Sequence, residues 1–318
     1  MLRRLVTLSL LLPLGWGRPN APGVTVNADA RVSVAAVSDG FSRCLFYDDF
    51  SRAKGKFPDP SKWKYDLGTS YPGGPKHWGT WEIETYTDDP QNLYITHDDT
   101  LRIVPVRGPN DTWTSARIET TPEWDTACEP GHRLRVEAKI KLGHNSKQHK
   151  LGLWYAFWAL GSAFRGHYWS WPSVGEIDIL ESINGEPQIW QTAHCGSNPG
   201  GPCNESDGLG NVTATDVRGV WHTYAWEMNR QASHLGWQHE HMTWFLDGRP
   251  TWSLFGRDVG DEDAWEAMSA GSKMILLNVA VGGGFPDGVA GFKTPTNETR
   301  GGNGAGMEVD YVAVYSDV

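Results

Sequence analysis

Arg133-Leu-Arg-Val-Glu-Ala-Lys-Ile-Lys141 alternates polar and apolar residues without a break. Successive side chains of a β-strand point to opposite faces, so this run predicts a strand with one buried and one wet face. Working outward, further β-prone runs fall at 101–106, 177–180, 242–246, 274–281 and 309–315. Clusters of Gly, Pro, Asn and Asp separate them, as turns require. No long stretch has helical periodicity, and the best short helix is 262–268. The pattern predicts an all-β fold, an antiparallel sandwich. Residues 18–40 read as a tether without a core of its own, and 41–318 as a single domain without internal repeats.

Composition narrows the function classes. The chain has 318 residues and a formal net charge of −10, which argues against nucleic acid, whose phosphates need a basic surface. A neutral polymer is not excluded. Seventeen residues are Trp, whose flat faces stack on the C–H faces of sugar rings, although more than half are expected simply to fill the core. Arg3 and Arg4 precede an apolar run at 5–16, with Gly15 and Gly17 near its end. This is the layout of a secretory signal peptide over 1–17, too short to span a membrane, so no membrane attachment is expected once it is removed.

Four cysteines suit an oxidising compartment. Cys195 and Cys203 enclose a turn-rich loop that a disulfide can close, which would leave Cys44 and Cys128 to pair by elimination, although four cysteines allow three connectivities. No Cys-x-x-Cys or His-x-x-x-His run supports a metal site instead. Asn110, Asn204, Asn211 and Asn297 each begin an Asn-x-Ser/Thr sequon, which again suits a secreted glycoprotein.

The chemistry concentrates in Trp171-Pro-Ser-Val-Gly-Glu176-Ile-Asp178-Ile-Leu-Glu181-Ser-Ile-Asn184. On a regular strand Glu176 and Asp178 share one face, with Ile177 and Ile179 in the core. Glu181 lies five positions from Glu176, an odd spacing that would bury its carboxylate among apolar groups at great cost. One extra residue, a β-bulge at Ile179 or Leu180, returns Glu181 to the face of the other two. A pair of carboxyl groups about 5–5.5 Å apart is what a retaining glycosidase needs, one to attack the anomeric carbon and one to protonate the leaving oxygen. Four effective residues at about 3.3 Å each separate the two Cα atoms by roughly 13 Å, so the sheet has to be concave. Asp178 between them adds charge that keeps a neighbouring glutamate protonated. A surface strand with solvated acids is the plainer alternative.

The segment closely resembles the signature of glycoside hydrolase family 16, in its laminarinase-like endo-β-1,3(4)-glucanases. The resemblance runs through most of 45–315 and includes Gly152-Leu-Trp154-Tyr-Ala-Phe-Trp158, Trp78-Gly-Thr-Trp-Glu82-Ile-Glu-Thr-Tyr86, Ser115-Ala-Arg117, Thr192-Ala-His194-Cys195, Asn278-Val-Ala-Val-Gly and Val309-Asp310-Tyr. It implies a jelly-roll sandwich with a concave substrate cleft, Glu176 as nucleophile, Glu181 as general acid/base and Asp178 as their electrostatic assistant. It further implies Trp158 and Trp171 as sugar platforms, His194 beside the reacting bond, and Glu82, Tyr86, Arg117 and Asn184 as substrate contacts. His222 reads as structural. No cofactor is implied for catalysis, but Asp310 matches a ligand of a structural calcium. The partner is then a β-glucan polysaccharide or oligosaccharide, bound by a monomer. The chain departs from the family pattern in Tyr155, where Pro is usual, and in Thr80-Trp81 before Glu82, where Asn-Asn is usual.

The reading is therefore endo-hydrolysis of β-1,3- or mixed β-1,3/1,4-glucan. An endo-β-galactanase or transglycosylase on the same scaffold is the nearer alternative. A non-catalytic glucan-binding lectin is the farther one, marked by loss of a glutamate, and both are present.

Overall fold

A computed structural model describes residues 40–51 and 57–317. The leader and nearly all of the tether read from the sequence lie outside the described residues. Two large antiparallel sheets carry the fold. The first has eight strands: Arg249–Phe255, His241–Leu246, Trp221–Asn229, Arg133–Leu142, Met307–Ser316, Leu101–Ile103 and Leu93–Ile95 in spatial order, with Arg43–Asp48 also pairing Met307–Ser316. The second has seven: Leu209–Ala214, Gln188–His194, Glu176–Ile183, Leu153–Gly161, Lys273–Val281, Arg117–Thr120 and Trp63–Tyr65. The fold is thus the expected jelly-roll sandwich. A third sheet of three short strands departs from it, because Thr85–Tyr86 and Trp113–Ser115 pair in parallel.

The core lies between the large sheets. Leu134, Val136, Ala138, Ile140 and Leu142 of one strand meet Leu153, Tyr155, Phe157, Ile177, Ile275, Leu277 and Val279 of the facing sheet, all buried. Alternation decides which residues point inward. The opposite face of Arg133–Leu142 is not uniformly wet. Arg135 and Glu137 are fully buried there and pair with each other, Nε to Oε2 at 3.0 Å. Tyr311 donates its hydroxyl to Glu137 at 2.7 Å, and the Phe245 ring covers the guanidinium. Removing one partner of such a pair strands a buried charge, at a cost of about 3–5 kcal/mol.

The expected short helix is Glu262–Ser269, started by Asp261, whose side chain accepts the Ala264 N–H. Helices Gly256–Val259 and Gly284–Ala290 were not foreseen; both are one to two turns long and hold too few residues to show a period. Among the described residues no helix is long and apolar enough to cross a membrane.

Two expectations need correction. Trp63, Trp113, Trp226, Trp244 and Trp265 are buried, and Trp124, Trp237 and Trp252 pack against the same core while partly exposed, so half of the described Trp belong to it and not the majority expected. Cys195 and Cys203 form the disulfide, whereas Cys44 and Cys128 are free thiols. Cys44 packs with Phe41 and Tyr315 on the outer side of the eight-stranded sheet, and Cys128 sits in the core between the sheets. Opposite sides of a sheet cannot be bridged by a bond of about 2 Å.

Candidate active site

Strand Glu176–Ile183 begins behind Gly175, whose φ of +73° lies in the left-handed region and whose missing side chain leaves room for the Ala267 carbonyl. Against the neighbouring strand, Leu160 faces Glu176 and Trp158 faces Asp178, but Phe157 faces Leu180 and Ala156 faces Glu181. Ile179 has no opposite number. It is the extra residue of a β-bulge, and it brings Glu181 onto the face of Glu176 and Asp178. The peptide carbonyls freed at the bulge are satisfied from buried side chains: Trp244 Nε1 donates to the Asp178 carbonyl at 2.9 Å, and Gln191 Nε2 to that of Ile179 at 3.4 Å.

The three carboxyl groups differ in their company. Burial pushes Glu181 up to about 7, aided by the charge of Glu176 and opposed by His194 and by the Trp154 indole, which donates to Oε1 at 2.9 Å. Burial likewise raises Glu176, but His194, a hydrogen bond from Trp171 and Arg117 all favour its ionised form. Asp178 is raised well above the usual carboxylate range by burial and by both glutamates, with His194 as its counterweight. Of the three, Glu176 is best supported as an anion, and Glu181 is poised to hold a proton near neutrality.

His194 faces Glu176 across the strand pair and points Nε2 at Asp178 Oδ2, 3.4 Å away. Its Nδ1–H donates to Glu205 Oε2 at 2.7 Å. Burial opposes a charged ring, yet the bond to Glu205 and the charges of Asp178 and Glu176 outweigh it, and the imidazole is pushed up to about 10. Sequence reading missed Glu205, which comes from the loop behind the disulfide and stands in the Asn204 sequon, a pattern that signals glycosylation and not a buried carboxylate. Trp154 was also missed, although it precedes Trp158 by four residues on the same strand face, a spacing that alternation exposes.

The remaining candidates separate into surface and support. Trp158 and Trp171 are partly exposed beside the carboxylates. The indole of Trp158 donates to Asn278 Oδ1 at 2.9 Å, Asn278 Nδ2 donates to the Tyr86 hydroxyl at 3.2 Å, and that hydroxyl donates to Glu82 Oε2 at 2.7 Å. Arg117 lies between the rings of Trp78 and Trp158, each 4.8 Å away, and bonds Asp66 at 3.2 Å. Glu82, Tyr86 and Arg117 are therefore buried braces beneath the aromatic floor. Asn184 is fully buried and placed apart from them. Its amide accepts from the Gly152 N–H and donates to the Pro286 carbonyl, so the structure makes it a clamp between loops, with both polar atoms engaged. Thr80, in place of the usual Asn, bonds Glu82 Oε1 at 2.6 Å. Its neighbour Trp81 stands 71% exposed, and Trp169 stands 75% exposed with its indole N–H held by the Gly73 carbonyl. His222 pairs with Asp247 on the other sheet, as a structural role requires.

Among the described residues Asp310 joins no group of three ligand side chains close enough to hold the calcium that the resemblance implies. Its carboxylate pairs with Lys139 at 2.8 Å, and a calcium would need about six to eight oxygen ligands. Among the described residues, Glu176, Asp178 and His194 alone bring ligand atoms within 4.8 Å of one another. His194 Nδ1 is already engaged with Glu205, and the other two members are the candidate catalytic carboxylates, so each group has a role without an ion.

The arrangement suits acid/base and nucleophilic work on a bond held against indole faces. No protein-family model matches the chain. The endo-1,3-beta-glucanase from Streptomyces sioyaensis superposes with a TM-score of 0.80 at 41% identity, over 87% of this chain and 96% of that one. The chain belongs to glycoside hydrolase family 16, among its laminarinase-like endo-β-1,3-glucanases. The glucan endo-1,3-beta-glucosidase of Cryptopygus antarcticus is 28% identical over 80% of this family 16 chain and 86% of its own length. The glucan endo-1,3-beta-glucosidase A1 of Niallia circulans is 26% identical over 95% of this chain, which spans 42% of that longer protein.

Proposed function

We propose that the protein is a secreted retaining endo-glycosidase that hydrolyses internal β-1,3 bonds, or mixed β-1,3/1,4 bonds, of glucan. The bulge at Ile179 carries this reading, because it alone sets Glu181 beside Glu176 on the cleft face. In the first step the Glu176 carboxylate attacks the anomeric carbon while Glu181 gives its proton to the departing glycosidic oxygen. The glycosyl ester so formed is then opened by water, from which Glu181, now ionised, takes a proton. Asp178 and protonated His194 balance charge at Glu176 as it leaves and regains the anionic state. Trp158 and Trp171 hold sugar rings, with Trp81 and Trp169 extending the apolar surface at the rims.

Secretion is supported by the basic–apolar–small order of 1–17, by the disulfide, and by exposed sequon asparagines at 110, 204 and 297. Substitution of Thr80-Trp81 for Asn-Asn favours a substrate preference other than that of a plain laminarinase. Parallel digestion of laminarin, barley β-glucan and β-1,3-galactan, with Glu176→Ala as control, tests the assignment. Oligosaccharides from a glucan, absent in the control, are expected. Products from galactan alone would overturn the substrate, and glucan binding without products would point to a lectin.

A further inference from the structure

The loop that follows His194 does more than cap the sheet. Cys195 and Cys203 are both fully buried and joined, and the short ladder between Gly200 and Glu205 closes the loop on itself. This brings Glu205 back under the strand that the loop left. The Glu205 carboxylate is 5% exposed and fully engaged: Oε1 accepts the Cys195 N–H at 2.8 Å and Oε2 the His194 Nδ1–H at 2.7 Å. Gly208, with φ +75°, lies flat behind the imidazole; a Cβ there would meet the ring at 2.8 Å. The ring is thus held on one edge by an anion, on its back by backbone, and tilted against Trp171 at a centroid distance of 5.5 Å. Its free edge, Nε2, is left facing Asp178 and Glu176.

We propose that Glu205 is a positioning residue for the cleavage reaction, mounted by the Cys195–Cys203 disulfide, which fixes His194 as an imidazolium with its Nε2–H toward the Glu176–Asp178 pair. This rests on the reading of Glu176 and Glu181 as the catalytic pair. A carboxylate on Nδ1 selects the ring's orientation and stabilises its charge, as a buried carboxylate behind a histidine does elsewhere. The groups facing the ring are Glu176 and Asp178 from the adjacent strand and Glu205 from the loop, with Glu181 and Arg117 acting on the same carboxylates from farther away. The ring stands between Glu205 on its Nδ1 side and Glu176 and Asp178 at Nε2, so its charge favours the nucleophile as an anion. Without Glu205 the ring loses its proton at lower pH, and its Nε2–H is no longer held toward Glu176 and Asp178.

The test uses histidine-labelled full-length protein, whose His194 resonance is followed by NMR, together with kinetics on laminarin. In the wild type His194 is expected to remain charged past pH 8; titration near its ordinary 6.5 would overturn the proposal without any variant. In Glu205→Gln the ring is expected to titrate at least one pH unit lower. The ring is still charged near pH 6 and the Glu205 anion is gone, so the acid limb of kcat/KM should not move to higher pH. The value of kcat near pH 6 should nevertheless fall roughly tenfold with KM little changed, because Nε2–H is no longer aimed at the Glu176–Asp178 pair. A Cys195→Ser/Cys203→Ser double variant should lower the His194 titration in the same direction. A Glu205→Gln enzyme that loses activity with an unchanged His194 titration would show a merely structural role. Glu176→Ala separates the two readings: if it retains full activity the catalytic assignment fails, while the His194 titration still reports on Glu205.

Discussion

Trp154 gives its indole N–H to Glu181 Oε1 at 2.9 Å from the strand alongside, so the candidate acid/base is held by a donor that favours its charged form in a site whose burial favours the neutral one. Burial wins, and the group titrates at about 7. The bond therefore orients the carboxyl without stripping its proton. It leaves the acid able to change roles between the two halves of a double displacement.

Activity should accordingly fall as pH rises through about 7, because the free enzyme then lacks the proton that the leaving oxygen needs. A pH profile of kcat/KM on laminarin checks this. Glu181→Ala should lose roughly 10²–10⁴-fold on the polymer and far less on an aryl glycoside whose leaving group needs no proton. Equal losses on both substrates would count against the acid role. The same shift has a stability consequence. The folded chain keeps this proton up to about 7, while the unfolded chain releases it near 4.5, so stability falls across that window. Glu181→Gln should therefore raise Tm relative to the wild type at pH 8 more than at pH 4.

The chain of bonds from Trp158 through Asn278 and Tyr86 to Glu82 predicts a separation of binding from chemistry. Tyr86→Phe removes the central hydroxyl and leaves buried polar atoms of Glu82 and Asn278 short of a partner, costing about 1–3 kcal/mol. Trp158 then loses its fixed plane. A several-fold rise in KM for laminarin with kcat within about twofold is expected. A fall in kcat at constant KM would place this chain in the reaction itself.

The cysteines offer a direct count. Without reductant, the unfolded protein should take up two alkyl groups, at Cys44 and Cys128, and after reduction all four cysteines should react. In the folded protein both free thiols should react slowly at pH 8, since burial pushes Cys44 up to about 11 and Cys128 to about 12. Intact-mass measurement reads both outcomes. A folded protein with no free thiol would restore the Cys44–Cys128 pairing.

The catalytic strand was the most legible part of the sequence, for a physical reason. A carboxylate at odd spacing on an otherwise alternating strand is intolerable without a bulge, so Glu181 announced the irregularity at Ile179. The sandwich was legible because alternation in 133–141 and its neighbours has few other solutions. What stayed hidden depends on contacts distant in sequence. Glu205 acquires its place from a loop closed by a disulfide, and Asn204-Glu205-Ser206 reads as a sequon on a surface turn, which gives no sign of a buried carboxylate. Glu82, Tyr86 and Arg117 were found by position in a motif, yet only packing reveals that they brace Trp158 from below. Pairing Cys44 with Cys128 by elimination ignored which side of the sheet each would occupy.

The central claim is that Glu176 and Glu181 act together as the carboxyl pair of a retaining hydrolase. Proton NMR of the first reducing ends released from laminarin, recorded before mutarotation, tests it most directly. The account requires the β-anomer first, with no release by Glu176→Ala. Initial release of the α-anomer, or unchanged release by the variant, would contradict it.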